Sequence, residues 1–412
     1  MTADADAVPV KSRRGLPLVL AATAISAASS FVILLIVAPA LGPAGYASFS
    51  VFWAALFMFV GVLFGVQQEA TRAVSDAMPQ AASRRGASLV RFAVVLGGGM
   101  LVILASTGPL WAERVFGAEH MVWAFPLALA VASYVGVAAV NGILAGSANW
   151  GGFAAVPFID GVSRLILVGI VLVTGADTTA LCWAVAVPFP LSLVVVALFW
   201  RSGIARRSVL RESYGALTAN VARTVVASAA NAVLVNGFPV VLALFGGGDR
   251  AALGAVVLAL TLTRAPILVP LTALQSMLIT RFSASSRSAS IRFALLLIGS
   301  LAVFSALAAF LASLCGEAVL AWLFGDGFAL DGMLLGLLVG ASGCLGVLTV
   351  TGASVLAAKR HTVFATGWVL ACALAVVLVA VCPGDIGTRT VIGLIGGPLI
   401  GAAWHAAFGW RR

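Results

Sequence analysis

Three arginines stand inside long apolar runs of this chain: Arg164, Arg223 and Arg264. A guanidinium at the centre of an apolar, membrane-length helix costs about 2.5–3.5 kcal/mol on insertion scales. Its planar fork matches phosphate and carboxylate oxygens two at a time and stays charged at any ordinary pH. Buried arginines of this kind are therefore candidate anion contacts. Arg264 stands near the middle of its run with no acid within a helical turn, and Pro266 follows two residues later, where proline breaks the hydrogen-bond ladder. Its alternative role is to bond backbone carbonyls or a distant acid. Asp160 and Arg164 are four apart, on one face of a helix. They read either as a self-neutralising pair or as a cavity-facing Arg with Asp160 as release partner or proton site. Arg223 lies about two turns from the end of its run, where a long side chain can snorkel to the surface. Glu69 and Arg72 read as a solvated i,i+3 pair. The amides Asn141, Asn231, Asn236 and Gln275 also fall in apolar runs, where such groups bond across helices or meet a polar ligand.

The elements that must carry these residues follow from composition. Of 412 residues, 62% are hydrophobic and 9% charged, whereas soluble domains are roughly half apolar and a quarter charged. Spans of roughly 20 residues are expected at 16–39, 47–68, 88–109, 121–145, 152–174, 179–200, 217–244, 251–279, 293–315, 332–356, 362–382 and 389–408. The fold class is therefore all-α, a polytopic membrane protein of about twelve transmembrane helices. The apolar run from Leu16 to Leu41 is too long for a cleaved leader, so the first helix is expected to stay.

Charge sets the expected orientation. With the N-terminus in the cytoplasm, 18 of the 24 basic residues fall on the cytoplasmic side and three outside, Arg114, Arg250 and Arg389. That split points to an inner-membrane protein with both termini cytoplasmic. The net charge of +10 is thereby explained by orientation, and no nucleic-acid partner is expected. Trp111, Trp150, Trp200, Trp322 and Trp410 fall near the expected interfaces. The five cysteines form no CxxC pair, and the three histidines lack metal-ligand spacing. No cofactor, metal or catalytic residue is expected.

The two halves resemble each other. LGPAGYASFS (41–50) parallels FGGGDRAALG (245–254), and ATRAVS (70–75) parallels ITRFS (279–283). WAERVFGAE (111–119) parallels AWLFGDGFA (321–329), and GILAGSANW (142–150) parallels SVLAAKRHT (354–362). Parallel segments in the same order indicate a duplicated six-helix unit, with an N-terminal lobe 1–205 and a C-terminal lobe 206–412. An even helix number makes the repeats parallel, related by an axis along the membrane normal.

These segments resemble the polysaccharide and O-antigen flippases of the multidrug/oligosaccharidyl-lipid/polysaccharide exporter superfamily. LGPAGYASF (41–49) is similar to that family's first outer turn, departing at Ala47, where Gly is usual. NGILAGSANWGGFAAVPFIDGVSRLILV (141–168), with Arg164, and LFGDGFALDG (323–332), followed by VLAAKRHTVF (355–364), have the family's look. The resemblance implies a transporter, not an enzyme, that flips a polyprenyl-diphosphate-linked saccharide outward by alternating access. The substrate-binding set would be Arg264, Arg164, Arg223, Asp160, Asn141, Asn231 and Gln275. The implied partners are the lipid-linked anionic saccharide, membrane lipids, and glycan polymerases or glycosyltransferases. A drug antiporter of the same superfamily is the nearest alternative, although Asp160 is the one clear embedded acid such transport would use. The loop SDAMPQAASRRG (75–86) lacks the major-facilitator signature. A polysaccharide polymerase or ligase would need a large outer loop with catalytic residues, and no connection here is long enough.

Overall fold

The computed structural model describes residues 10–77, 86–245 and 248–410; some side chains within these stretches, Gln275 among them, lie outside the description. The described chain is helical almost throughout, with thirteen α-helices. They are α1 Val10–Ala77, α2 Leu89–Phe116, α3 Ala124–Gly146, α4 Trp150–Thr174, α5 Thr178–Ala186, α6 Pro188–Arg207 and α7 Tyr214–Val235. The series continues with α8 Phe238–Phe245, α9 Arg250–Ala284, α10 Arg287–Phe324, α11 Gly332–Ala357, α12 His361–Val381 and α13 Ile386–Trp404, which ends in a π turn, His405–Gly409.

Eleven of the described helical segments are long and apolar enough to cross a membrane. One of them, Pro17–Ala77, has 61 residues. At 1.5 Å per residue it extends about 90 Å, enough for two crossings. Its single non-helical residue is Gly42 (φ 66°, ψ 174°), so the first two expected spans are present, divided by one residue where a longer turn was expected. The other expected spans fall on observed helices. α10 runs well past both ends of its expected 293–315 segment. A helix satisfies its own backbone wherever it goes, so it need not stop where the hydrocarbon does. Leu296, Val303, Leu307, Phe310 and Leu314 on α10 are exposed apolar side chains, as a lipid-facing helix requires.

Two helices expected to be continuous are broken. Residues 236–237 separate α7 from α8, and Val187, followed by Pro188 and Pro190, separates α5 from α6.

The chain divides into two compact units. One comprises Met1–Ala40 and Phe52–Ala232; the other comprises Leu41–Val51 and Val233–Arg412. Most of α7 thus packs with the first unit, where Thr224 Oγ1 donates to the Gly65 carbonyl at 2.9 Å. Close packing rests on small residues: a Cβ on Gly65 would stand 2.6 Å from the Thr224 backbone. In the second unit, Tyr46 is fully buried with its ring edge-on to Phe328 at 5.8 Å.

The duplication expected from sequence is visible in the backbone. The described positive-φ residues are Gly42, Gly117, Ala148, Gly175, Gly248, Gly325, Lys359 and Gly384. They fall into four pairs, 42/248, 117/325, 148/359 and 175/384, with separations between 206 and 211 residues. Gly117 (98°, 158°) and Gly325 (91°, 161°) have nearly the same φ and ψ, and each leads into a 3-10 turn. After α3, Asn149 N–H donates to Leu144 O and Ala148 N–H to Ala145 O; after α11, Arg360 N–H donates to Val355 O and Lys359 N–H to Leu356 O. Asp177 and Asp385 cap the helices that follow the fourth pair.

Candidate functional site

Arg264 lies on α9 in the second unit, 8% exposed. One guanidinium nitrogen donates to the carbonyl of Val235 at 3.0 Å. Val235 is the last residue of α7, where helix carbonyls lack intrahelical partners and the dipole favours a cation. The guanidinium carbon lies 5.7 Å from the Phe238 ring centroid. Nε and the other terminal nitrogen of Arg264 are buried without a hydrogen-bond partner. Pro266 and Pro270 follow in the same helix and free nearby carbonyls from the helical ladder. A buried, partly unsatisfied guanidinium is costly unless a partner completes it. The arrangement is half structural clasp and half open fork, with two buried donors that no protein acceptor meets.

Arg164 is arranged otherwise. It lies on α4, 1% exposed, and one terminal nitrogen donates to Asp160 Oδ1 at 2.5 Å. Nε donates to the Val185 carbonyl at 3.3 Å, beside the α5–α6 break. The guanidinium stands over Phe189 at 4.8 Å and Phe57 at 5.3 Å. Tyr134 packs edge-on to Phe189 at 5.3 Å. The i,i+4 spacing forms the expected pair, and carbonyl, carboxylate and two rings together occupy Arg164. Both buried arginines thus fasten a carbonyl at an interrupted helix, but Arg164 has a carboxylate partner and Arg264 has two buried nitrogens with no partner.

The remaining expected residues are dispersed. Asn141 on α3 is buried, with its carbonyl oxygen unpartnered. Arg223 and Asn231 are exposed on α7, and Asn236 lies in the α7–α8 break. Glu69 and Arg72 are not the solvated pair expected. Glu69 is 4% exposed and accepts from Arg72, which also binds Asp76 Oδ2 at 2.6 Å and reaches Glu212 at 3.4 Å. Glu69 is covered because the neighbouring turn of α1 meets small residues of α3: Gly142 abuts Ala70, and Gly146 abuts Thr71 and Val74. Glu212, 140 positions away from Arg72, left no local sequence signal.

His405 is fully buried, with one ring nitrogen 3.2 Å from Thr351 Oγ1 and the other 3.1 Å from the Phe364 carbonyl. All five cysteines are free thiols, and the described residues hold no group of His, Cys, Asp and Glu able to bind a metal.

Comparison with solved structures defines the class of fold. An inward-facing multidrug resistance MATE family transporter of the MOP superfamily matches with a TM-score of 0.70 at 15% identity, covering 95% of this chain and 93% of that one. An outward-facing MATE transporter matches at 0.64 and 15% identity over 98% and 96%. A MOP superfamily transporter from Pyrococcus furiosus, described as having a binding pocket of reverse polarity that suggests a different function, matches at 0.60 and 15% identity over 97% and 95%. The chain is thus a multi-pass membrane protein with the two-lobed MATE transporter fold. It belongs to the family of the Mycobacterium tuberculosis proteins Rv3630 and Rv1510, both uncharacterized. It is 32% identical to the first over 389 residues, covering 93% of this chain and 89% of the relative, and 33% identical to the second over 398 residues, covering 95% and 90%. No protein-family model matches the sequence.

Proposed function

We propose that this chain is a membrane transporter that moves a polyprenyl-diphosphate-linked saccharide between leaflets by alternating access, with Arg264 receiving the diphosphate. The observation that carries this reading is the fork of Arg264: buried, tied to Val235 by one nitrogen, with two nitrogens unpartnered. An anionic lipid head supplies the acceptors that those donors lack, and a charge-assisted bond replaces water the head must shed. The fold is one found in transporters, and the apolar exterior of helices such as α10 leaves the lipid tail in hydrocarbon. Arg164, paired with Asp160 and tied to the Val185 carbonyl, serves this reading as a positioning residue for the α5–α6 break.

Reconstituted into vesicles with a fluorescent polyprenyl-diphosphate sugar, the chain is expected to expose inner-leaflet probe to an impermeant quencher. Arg264→Ala should slow this by at least about tenfold, the loss of a charged hydrogen bond worth about 1.5–3 kcal/mol. Arg264→Lys keeps a donor for Val235 but loses the fork, so it should fold normally and restore transport only in part. Wild-type flipping by Arg264→Ala would remove the proposal. Gradient-driven efflux of a cationic dye that Asp160→Asn abolishes, without flipping, would establish the drug-antiporter reading in its place.

A further inference from the structure

The donors of a guanidinium are fixed in a plane. Nε and Nη2 share its side-on edge, where two parallel N–H groups meet two oxygens of one partner. The two buried arginines use that edge differently. In Arg164 the chain itself fills it: Nε donates to the Val185 carbonyl at 3.3 Å and Nη2 to Asp160 Oδ1 at 2.5 Å. In Arg264 it is Nη1 that holds the Val235 carbonyl, at 3.0 Å, and Nε and Nη2 are the buried nitrogens without a partner. The clasp on α7 therefore leaves the side-on edge of Arg264 whole. The second unit offers it no counterpart of Asp160. Helices α7, α8 and α9 contain no Asp or Glu. The acids of that unit are Asp249, Asp326, Asp331 and Asp385, outside the α-helices, and Glu317, about two turns from the end of α10. Asp249, Asp331 and Asp385 are engaged as caps of the helices that follow them.

The open edge belongs to the α7–α8 break. Val235 ends α7, Phe238 opens α8, and the guanidinium carbon lies 5.7 Å from the Phe238 ring centroid. The opening amides of a helix have no acceptor within it. In α8, Pro239 has no N–H, and the amides of Val240 and Val241 both reach the Gly237 carbonyl, at 2.9 and 3.3 Å. The Phe238 amide is thus the open donor of α8, and the helix dipole adds positive potential there. A planar carboxylate uses both its oxygens on a side-on fork. A phosphoryl group has a third oxygen, and the Phe238 amide is a donor for it.

Building on Arg264 as the anion contact, we infer that its side-on edge and the Phe238 amide form a three-donor site for one phosphoryl group, selected over a carboxylate. Calorimetry on the full chain in detergent tests this with two probes of comparable charge, inorganic phosphate and malonate. Wild type should bind phosphate about tenfold or more tightly than malonate, the lower end of what one charge-assisted bond contributes. Arg264→Ala should abolish binding of both. Phe238→Pro removes the amide with a residue accepted at the first position of a helix, and should bring phosphate down to the malonate level. Phe238→Ala removes the ring, keeps the amide and should keep the preference. A nitrogen-15 spectrum of wild type separates the amide from any disturbance of the break: phosphate should shift both the Arg264 Nε and the Phe238 amide signals, and malonate the Nε signal alone. Equal affinities for the two probes, or a Phe238→Pro variant that keeps the preference, would overturn the inference while leaving Arg264 an anion contact. Phosphate binding that Arg264→Ala leaves intact, or no binding of either probe, would overturn it as well, and the flipping of the lipid probe then decides the transport reading separately. Selective binding without flipping would leave the site standing and remove the transport reading.

Discussion

Ala148 and Lys359 are the two described non-glycine residues with positive φ, at 53° and 59°. A left-handed conformation costs an L-residue about 1–2 kcal/mol, and glycine returns about 0.5–1 kcal/mol of that as lost chain entropy. Ala148→Gly and Lys359→Gly should therefore each stabilise the protein by roughly 0.5–1 kcal/mol, read as a higher midpoint in thermal unfolding. Ala148→Val should lower it. Unchanged midpoints in both glycine variants would mean that the strain is relieved elsewhere. At this scale the sequence was only partly legible. Arg264 was identifiable as a deep arginine without a nearby acid, but its clasp on Val235 depends on a contact 29 residues away. The burial of Glu69 could not be read from its spacing to Arg72, because the small residues of α3 that cover it lie some seventy positions further on.

Between elements, the two helix breaks are where the buried arginines are used. Arg164 holds Val185 beside the α5–α6 break and Arg264 holds Val235 at the end of α7. Removing one partner of a buried ion pair strands the other, at a cost of about 3–5 kcal/mol, whereas removing both can be nearly neutral. Arg164→Ala should thus lower stability much more than Arg164→Ala combined with Asp160→Ala, and the double-mutant cycle measures the coupling. Equal losses would show that the Val185 contact, not the Asp160 pair, is what Arg164 supplies. The breaks themselves had local signals. Asn236-Gly237 followed by Pro239 marks the first, and Pro188 with Pro190 marks the second. Hydropathy hides both, since apolar residues continue on either side. Helix ends were less legible than helix centres, because nothing in the apolar pattern stops α10 at the limits of the hydrocarbon.

For the molecule as a whole, the duplication was legible because turns keep their residue types when helix faces diverge. The paired glycines and the capping aspartates survive at matching places, while the buried arginines do not. Arg164 and Arg264 are 100 positions apart, so they are not counterparts in a repeat of roughly 208. Each half has acquired its own buried arginine. The basic residues give the orientation to be tested: single cysteines at 201–207 and 286–290 should react with an impermeant thiol reagent only from the cytoplasmic side, and one at 249 only from outside. Labelling at 201–207 from outside would reverse the assignment.

A short antiparallel bridge in the first unit has a consequence for biosynthesis. Ser88 pairs with Val209, with Gly86 and Leu89 amides donating to Leu210 and Ser208 carbonyls at 2.9 and 2.8 Å. The two strands of the bridge are separated in the chain by α2 through α6. At a translation rate of about 5–20 residues per second, the earlier strand waits roughly 6–24 seconds for its partner. During that interval its amides are satisfied by water or by the ribosome-bound nascent chain's surroundings. Closure of the bridge is therefore a clock mark: it can occur only once the sixth crossing has been made, when it fastens the start of α2 to the end of α6.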